Sequence, residues 1–311
     1  MNEIARIFSN NSSEVNTELW FIPIDILTIV CVTIAIILST IFFLIIVFDK
    51  TCHTIPMMLV GNSCLIGILF GIMMLWSGLF TLVNDLKKIQ YEDFFCSFRG
   101  YMGYVTCSIQ NCSYLLQAIY RFLIIIYPTR LFFQTIRFQL FLICLSWIVG
   151  FLYPIHFLFT KEIIYNVNNQ ICQLQLHLSF SVIYMANGAY IIPVFSTIFV
   201  YFKLIRYVKQ MSKRITPVNT LIRAQRELKM VRRTVILVTI LFILCFPYAM
   251  FILLSFFLTI PKYHFRISYI FVDISFISVI IILFQFTDPL KTSVTKKFHR
   301  RAPMIMPTII Q

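Results

Sequence analysis

Residues 26–48 read ILTIVCVTIAIILSTIFFLIIVF, 23 positions without a single Asp, Glu, Lys or Arg. A helix needs about 20 mostly apolar residues to cross the hydrocarbon of a bilayer, and it satisfies its own backbone polar groups there. Working outward, comparable runs occupy 54–84, 100–120, 138–160, 163–202, 234–261 and 267–287. The run at 163–202 opens with Asn166, Asn168, Asn169 and Gln170, too polar for lipid, so its helix is expected from about Leu178. Asp273 interrupts the last run near its outer end. Seven spanning helices follow, and the expected fold class is an all-α membrane bundle.

Composition agrees. Of 311 residues, 59% are hydrophobic and 12% charged, with a mean hydropathy of +0.87. A soluble domain is roughly 25% charged, so this chain has too little polar surface to cover a globule. Disordered, collagen-like and disulfide-scaffold classes fall on the same arithmetic. No CxxC pair, Gly-rich phosphate loop, HExxH or GxSxG occurs. Nothing in the sequence points to an enzyme, a cofactor or a metal.

The net charge of +14 is explained by where it falls. With the N-terminus outside, 19 of the 26 Lys and Arg lie in cytoplasmic segments, and of the 12 acids only Asp49, Glu227 and Asp288 do. That bias sets the orientation as N-terminus outside and C-terminus inside. The partner of the positive charge is the bilayer, and no nucleic acid is needed. The expected organisation is an extracellular tail (1–21), a seven-helix domain (22–290), and an amphipathic helix with a short cytoplasmic tail (291–311). The first 18 residues lack the basic start and short apolar core of a cleaved signal, so the first span is expected to act as the anchor. Asn10 and Asn11 head overlapping glycosylation sequons on the outer side. Asn111-Cys112-Ser113 also matches, but it falls inside the third span, beyond the modifying enzyme's reach.

Spacing across the spans carries a resemblance. Cys96 precedes Arg121 by 25 positions, and Arg121 stands in the triplet Tyr120-Arg121-Phe122, followed by Pro128. Trp147 lies in the fourth span, Pro193 and Tyr201 in the fifth, Pro247 in the sixth, Asp288-Pro289 closes the seventh, and Phe298 follows. In this order the chain resembles the rhodopsin-like family of G-protein-coupled receptors over about residues 22–300. The departures are Tyr120 for the acid before the arginine, Phe122 for the tyrosine after it, and Gly67 for the second-helix aspartate. Cys245 replaces the sixth-helix tryptophan and Thr292 the last tyrosine of the seventh-helix motif. They put the usual switch and the sodium site in doubt.

The resemblance implies a Cys96–Cys172 disulfide; these are also the two cysteines placed near the oxidising face. The other seven are expected as small buried hydrophobes. It further implies a switch and G-protein-coupling set of Arg121, Tyr120, Phe122, Glu227, Tyr201, Pro247, Asp288 and Pro289. Glu227 would hold Arg121 at rest. The alternatives are a snorkelling Arg121, a surface pair of Glu227 with Arg223, and an Asp288 that caps its helix. As an inner acid, Asp288 would sit near Asn62, Gln110 and Gln285. The implied ligand pocket comprises Arg99, Gly103, Tyr104, Cys107, Met185, Ala189, Cys245, Tyr248, Ser278 and Ile282. Gly103 stands where amine receptors have their counter-ion and Ile282 where opsins have their lysine, so neither subclass fits. Arg99 and Asp273 would meet charged ligands or serve as interfacial anchors. The implied function is a plasma-membrane receptor for an extracellular ligand, acting on a heterotrimeric G protein. A non-signalling seven-helix binder is the alternative, and a transporter or channel is disfavoured by the scarcity of ionisable residues in the spans.

Overall fold

The computed structural model describes residues 20–176, 179–213, 239, 246–255, 257–258 and 261–286. Among these, six helical stretches are long and apolar enough to cross a membrane: Phe21–Phe48, Ile55–Lys87, Cys96–Ile126, Ile136–Phe159, Phe180–Met211 and His264–Leu283. Residues 246–254 add helix within the sixth run. The first helix shows why lipid is its solvent. Val32, Ala35, Phe42 and Ile46 face the bundle, while Val30, Ile34, Ile37, Ile41 and Leu44 are exposed. A helix apolar on both its buried and its exposed face belongs in a bilayer.

Local chemistry sets the ends. Pro56 sits in the first turn of the second helix, where its missing N–H costs nothing, and Lys88 in the left-handed region (φ 53°) terminates that helix. The third helix starts at Cys96, four residues ahead of the charge-free run, because Arg99 is neutralised inside the protein. Thr135 caps the fourth helix by accepting from the Phe138 N–H at 3.4 Å. Pro154 then divides Ile136–Leu152 from the turn Ile155–Phe159. The seventh helix runs unbroken over His264–Phe286, so Asp273 does not interrupt it.

The polar stretch before the fifth helix is not simple loop. It forms an antiparallel hairpin, β1 (Ile163–Asn166) with β2 (Ile171–Leu174), in which Tyr165 faces Cys172. Asn166 Oδ1 accepts from the Asn169 N–H at 3.1 Å, and Gln170 takes φ 54° to close the turn.

The fifth helix contains a π segment, Asn187–Ile191, just before Pro193. Pro193 has no N–H to donate, so carbonyls one turn earlier lose their helical partners. Asn111 on the third helix donates its Nδ2 to the Ala189 carbonyl at 2.8 Å. Tyr153 on the fourth enters the same gap: its hydroxyl accepts from the Gly188 N–H at 3.1 Å and donates to the Tyr184 carbonyl. A Cβ at residue 188 would occupy the space of the Tyr153 ring, so glycine is required there. Asn111 is thus buried and engaged, in keeping with its rejection as a glycosylation site.

Three apolar clusters hold the bundle. One joins Tyr101, Val105 and Ile109 to the hairpin and the fifth helix through Phe157, Leu174 and Met185. A second packs Ala35, Phe42, Cys64, Phe276 and Ile280 between the first, second and seventh helices. The third gathers Ala118, Tyr201, Leu204 and Val279 at the other end. Among the described free cysteines, Cys52 and Cys64 are buried as expected, but Cys144 is exposed. It shares the lipid face of the fourth helix with Leu140, Phe141 and Ile148, where a thiol is apolar enough.

Candidate functional site

Cys96 opens the third helix and Cys172 lies on β2; the two form a disulfide with Cα atoms 5.4 Å apart. The bond lays the hairpin across one end of the bundle. Gly100, one turn into the third helix, lets it settle: a Cβ there would stand 2.6 Å from the Cys172 carbonyl oxygen. Side chains then tie the hairpin down. Tyr104 donates its hydroxyl to Gln173 Oε1 and accepts from the Leu174 N–H at 3.0 Å, and Gln173 Nε2 donates to the Tyr269 hydroxyl. One hairpin residue therefore links the third helix to the seventh.

Among the described residues, a Cβ on Gly103 would meet nothing within 4 Å. Tyr104, Cys107, Tyr248 and Tyr269 lie near enough to interact electrostatically, so the third, sixth and seventh helices converge there. Phenols and a thiol suit a partly aromatic ligand with few hydrogen-bonding groups. Met185 and Ala189 are buried on the fifth helix against the same cluster.

Two other expected pocket residues have their polar groups engaged within the protein. Arg99 is buried and gives both terminal nitrogens to Asp93, Nη1 to Oδ2 at 2.8 Å and Nη2 to Oδ1 at 2.7 Å. Its guanidinium lies 4.1 Å from the Phe80 ring centre. It is neither an interfacial anchor nor open to an anionic ligand, because its charge is already matched. Ser278 donates to the Ile274 carbonyl at 2.7 Å, which occupies its hydroxyl within its own helix. Asp273, read as near the surface, is 1% exposed and faces the first and second helices.

The sequence reading missed an ionic group at the same end. Arg266 binds Asp85 through Nη1–Oδ2 at 2.6 Å and Nη2–Oδ1 at 3.1 Å, and reaches both oxygens of Asp25 at 3.4 Å. Its guanidinium stacks 4.0 Å from the Phe21 ring centre. Gln170 of the hairpin donates Nε2 to Asp85 Oδ1 at 2.6 Å. Beside the group, burial raises the Tyr165 phenol on β1 above its usual range. Each charged residue ends a predicted span, which is a usable signal, but 241 positions separate Asp25 from Arg266 and nothing in the sequence pairs them.

Toward the other end, Asn62 donates Nδ2 to Ser113 at 3.1 Å and accepts from Trp147 Nε1 at 3.0 Å, and Gln117 Nε2 reaches Ser63 at 2.7 Å. This joins the second, third and fourth helices without an acid. A Cβ on Gly67 would touch Phe276, Ser39 and Ile280, so packing fills the place of the missing aspartate. Tyr120 and Tyr201 are buried, and Phe122 packs against the Tyr201 cluster. Pro247 lies in the helical residues 246–254. Asn10, Asn11, Glu227, Cys245, Asp288 and Pro289 fall outside the described residues.

A seven-helix membrane bundle with a disulfide-tethered hairpin over its mouth has the architecture of a signalling receptor, not of an enzyme. The family model of the 7 transmembrane receptor (rhodopsin family) matches residues 25–290, and the chain belongs to that family. The crystal structure of squid rhodopsin is similar with a TM-score of 0.74 at 17% identity, over 90% of this chain and 85% of that one. No curated protein matches it in sequence.

Proposed function

We propose that the protein is a plasma-membrane receptor that takes an extracellular ligand beneath the hairpin and activates a heterotrimeric G protein on the cytoplasmic side. The observation that supports this reading is the convergence of Tyr104, Cys107, Tyr248 and Tyr269 from three helices, next to a Gly103 whose Cβ would meet no described atom within 4 Å, at the end of the bundle where the disulfide-held hairpin lies. A ligand there contacts three helices at once. It favours whichever arrangement of those helices it binds more tightly, and that difference in affinity is the signal. At the inner end Arg121, with Tyr120, Phe122, Glu227, Tyr201, Pro247, Asp288 and Pro289, is assigned to the switch and the G-protein contact. The excess of Lys and Arg in that half supports the orientation, and the disulfide at the opposite end suits an oxidising exterior. Glycans on Asn10 or Asn11 belong to the same reading.

A second reading, a receptor-like binder that does not signal, is favoured by Tyr120, Cys245 and Thr292 at switch positions. Purified receptor in nanodiscs, mixed in turn with members of each G-protein class and a ligand library, decides between them. Guanine-nucleotide exchange, basal or ligand-evoked, supports the receptor. Saturable ligand binding with no exchange across the panel supports the silent binder.

A further inference from the structure

A small cleft of about 40 Å³, room for a few water-sized groups, lies between the first, second and seventh helices, with Asn169 and Ile171 of the hairpin in its lining. Tyr269 stands between it and the group of Tyr104, Cys107 and Tyr248. Its walls carry Asp25, Thr28, Ser77, Thr81, Tyr269 and Asp273, with Arg266 at the rim. Arg266 is fully committed to Asp85 and Asp25. Asp273, two turns further along the same helix and about 10 Å deeper, is beyond its help. Neither Asp273 oxygen holds a formed hydrogen bond among the described residues. Thr28 across the cleft is the side chain placed to donate to it. The group therefore offers three carboxyls to one guanidinium, and the deepest carboxyl is turned into an open space.

A buried acid kept for structure is normally paired or ringed with donors, because an isolated charge in a membrane bundle is costly. Asp273 has one hydroxyl and a cavity. No three acidic, His or Cys ligands among the described residues come together to hold a multivalent metal. What fits one carboxylate with Thr28 beside it and Ser77 in the wall of the same cleft is a small monovalent cation that donates to, or is coordinated by, oxygen. We propose that this cleft is a monocation site with Asp273 as its counter-ion, filled by the ammonium group of a ligand or by a sodium ion. The ligand source rests on the receptor reading; the site itself does not.

The test uses the full-length protein in nanodiscs. The rate at which a maleimide dye reaches the buried thiols of Cys52 and Cys64 reports opening of the fold. Chloride salts of ethylammonium, sodium and choline are compared at equal ionic strength, in wild type and Asp273→Asn. Choline serves as the cation too bulky to donate. A cation at ten times its Kd should slow wild-type labelling about tenfold relative to choline. Slowing by ethylammonium beyond sodium identifies an amine group as the occupant; slowing by sodium alone identifies the free ion. Asp273→Asn should lose the effect yet label no faster than wild type in choline, because it sheds an uncompensated charge. Absence of any cation effect in wild type, an undiminished effect in the variant, or a variant that labels faster or fails to fold in every salt overturns the proposal. Nucleotide exchange plays no part in this readout, so a silent binder would still show the site.

Discussion

Asn111 offers a direct test of how the fifth helix survives its proline. Replacing it with Leu keeps the volume filled but removes the Nδ2 that reaches the Ala189 carbonyl at 2.8 Å. An orphaned buried acceptor costs about 1–3 kcal/mol in soluble proteins. Interhelical hydrogen bonds in membranes average about 0.6 and reach about 1.7 kcal/mol, because the membrane-unfolded state finds other partners. The Ala189 carbonyl has no N–H at Pro193 to fall back on, so the upper part of the membrane range applies, about 1–1.7 kcal/mol. In the dye assay on Cys52 and Cys64 this is roughly a 5- to 18-fold faster labelling. The cycle is completed with Pro193→Ala, which returns an N–H to that turn. In the Pro193→Ala background the cost of Asn111→Leu should fall by at least half. An equal cost in both backgrounds would refute the account, since Asn111 would then be contributing packing and not replacing a lost helical bond.

Three further outcomes are expected. Gly100→Ala should cost about 1–3 kcal/mol by overpacking and leave a measurable fraction of Cys96 and Cys172 as free thiols on non-reducing peptide mapping; Gly103→Ala, with open space at its Cβ, should change stability by less than about 0.5 kcal/mol. Arg266→Met should destabilise by about 3–5 kcal/mol in the labelling assay, because it strands the Asp85 and Asp25 carboxylates, and a loss under about 1 kcal/mol would show that the pair is not a buried one. If Glu227 restrains Arg121, Glu227→Ala should raise basal nucleotide exchange several-fold at matched surface expression while Arg223→Ala does not, a bias of about 1–3 kcal/mol; unchanged basal exchange would leave Glu227 with only a surface role.

The bundle was legible because lipid imposes one rule on every span, and a charge-free run of sufficient length is visible without knowing any neighbour. The Cys96–Cys172 bond was legible from placement and family spacing together. What escaped was relational. Arg99 counts as an exposed cation until Asp93, in the segment just ahead of the helix, is seen to fold onto it. Asp85 and Asp25 look like span ends until Arg266 brings them together. The hairpin had a local signal in the Asn-rich turn at 166–169, but four-residue strands carry too little periodicity to be read on their own.

The π segment carries a consequence for anyone transferring positions from relatives. It places one more residue between its ends than an α-turn would. Each residue turns a helix by about 100°, so everything on the outer half of the fifth helix is rotated by that angle against a scheme that counts outward from Pro193. A straight α-helical count outward from Pro193 would misplace the inward face by that angle, whereas in this structure Met185 lies on the buried side. Phe180 and Ile183 are exposed on the outer half, while Ser181, Val182 and Met185 are buried. Mutagenesis of this wall should take its register from that inward-facing set, with numbering restarted above Asn187.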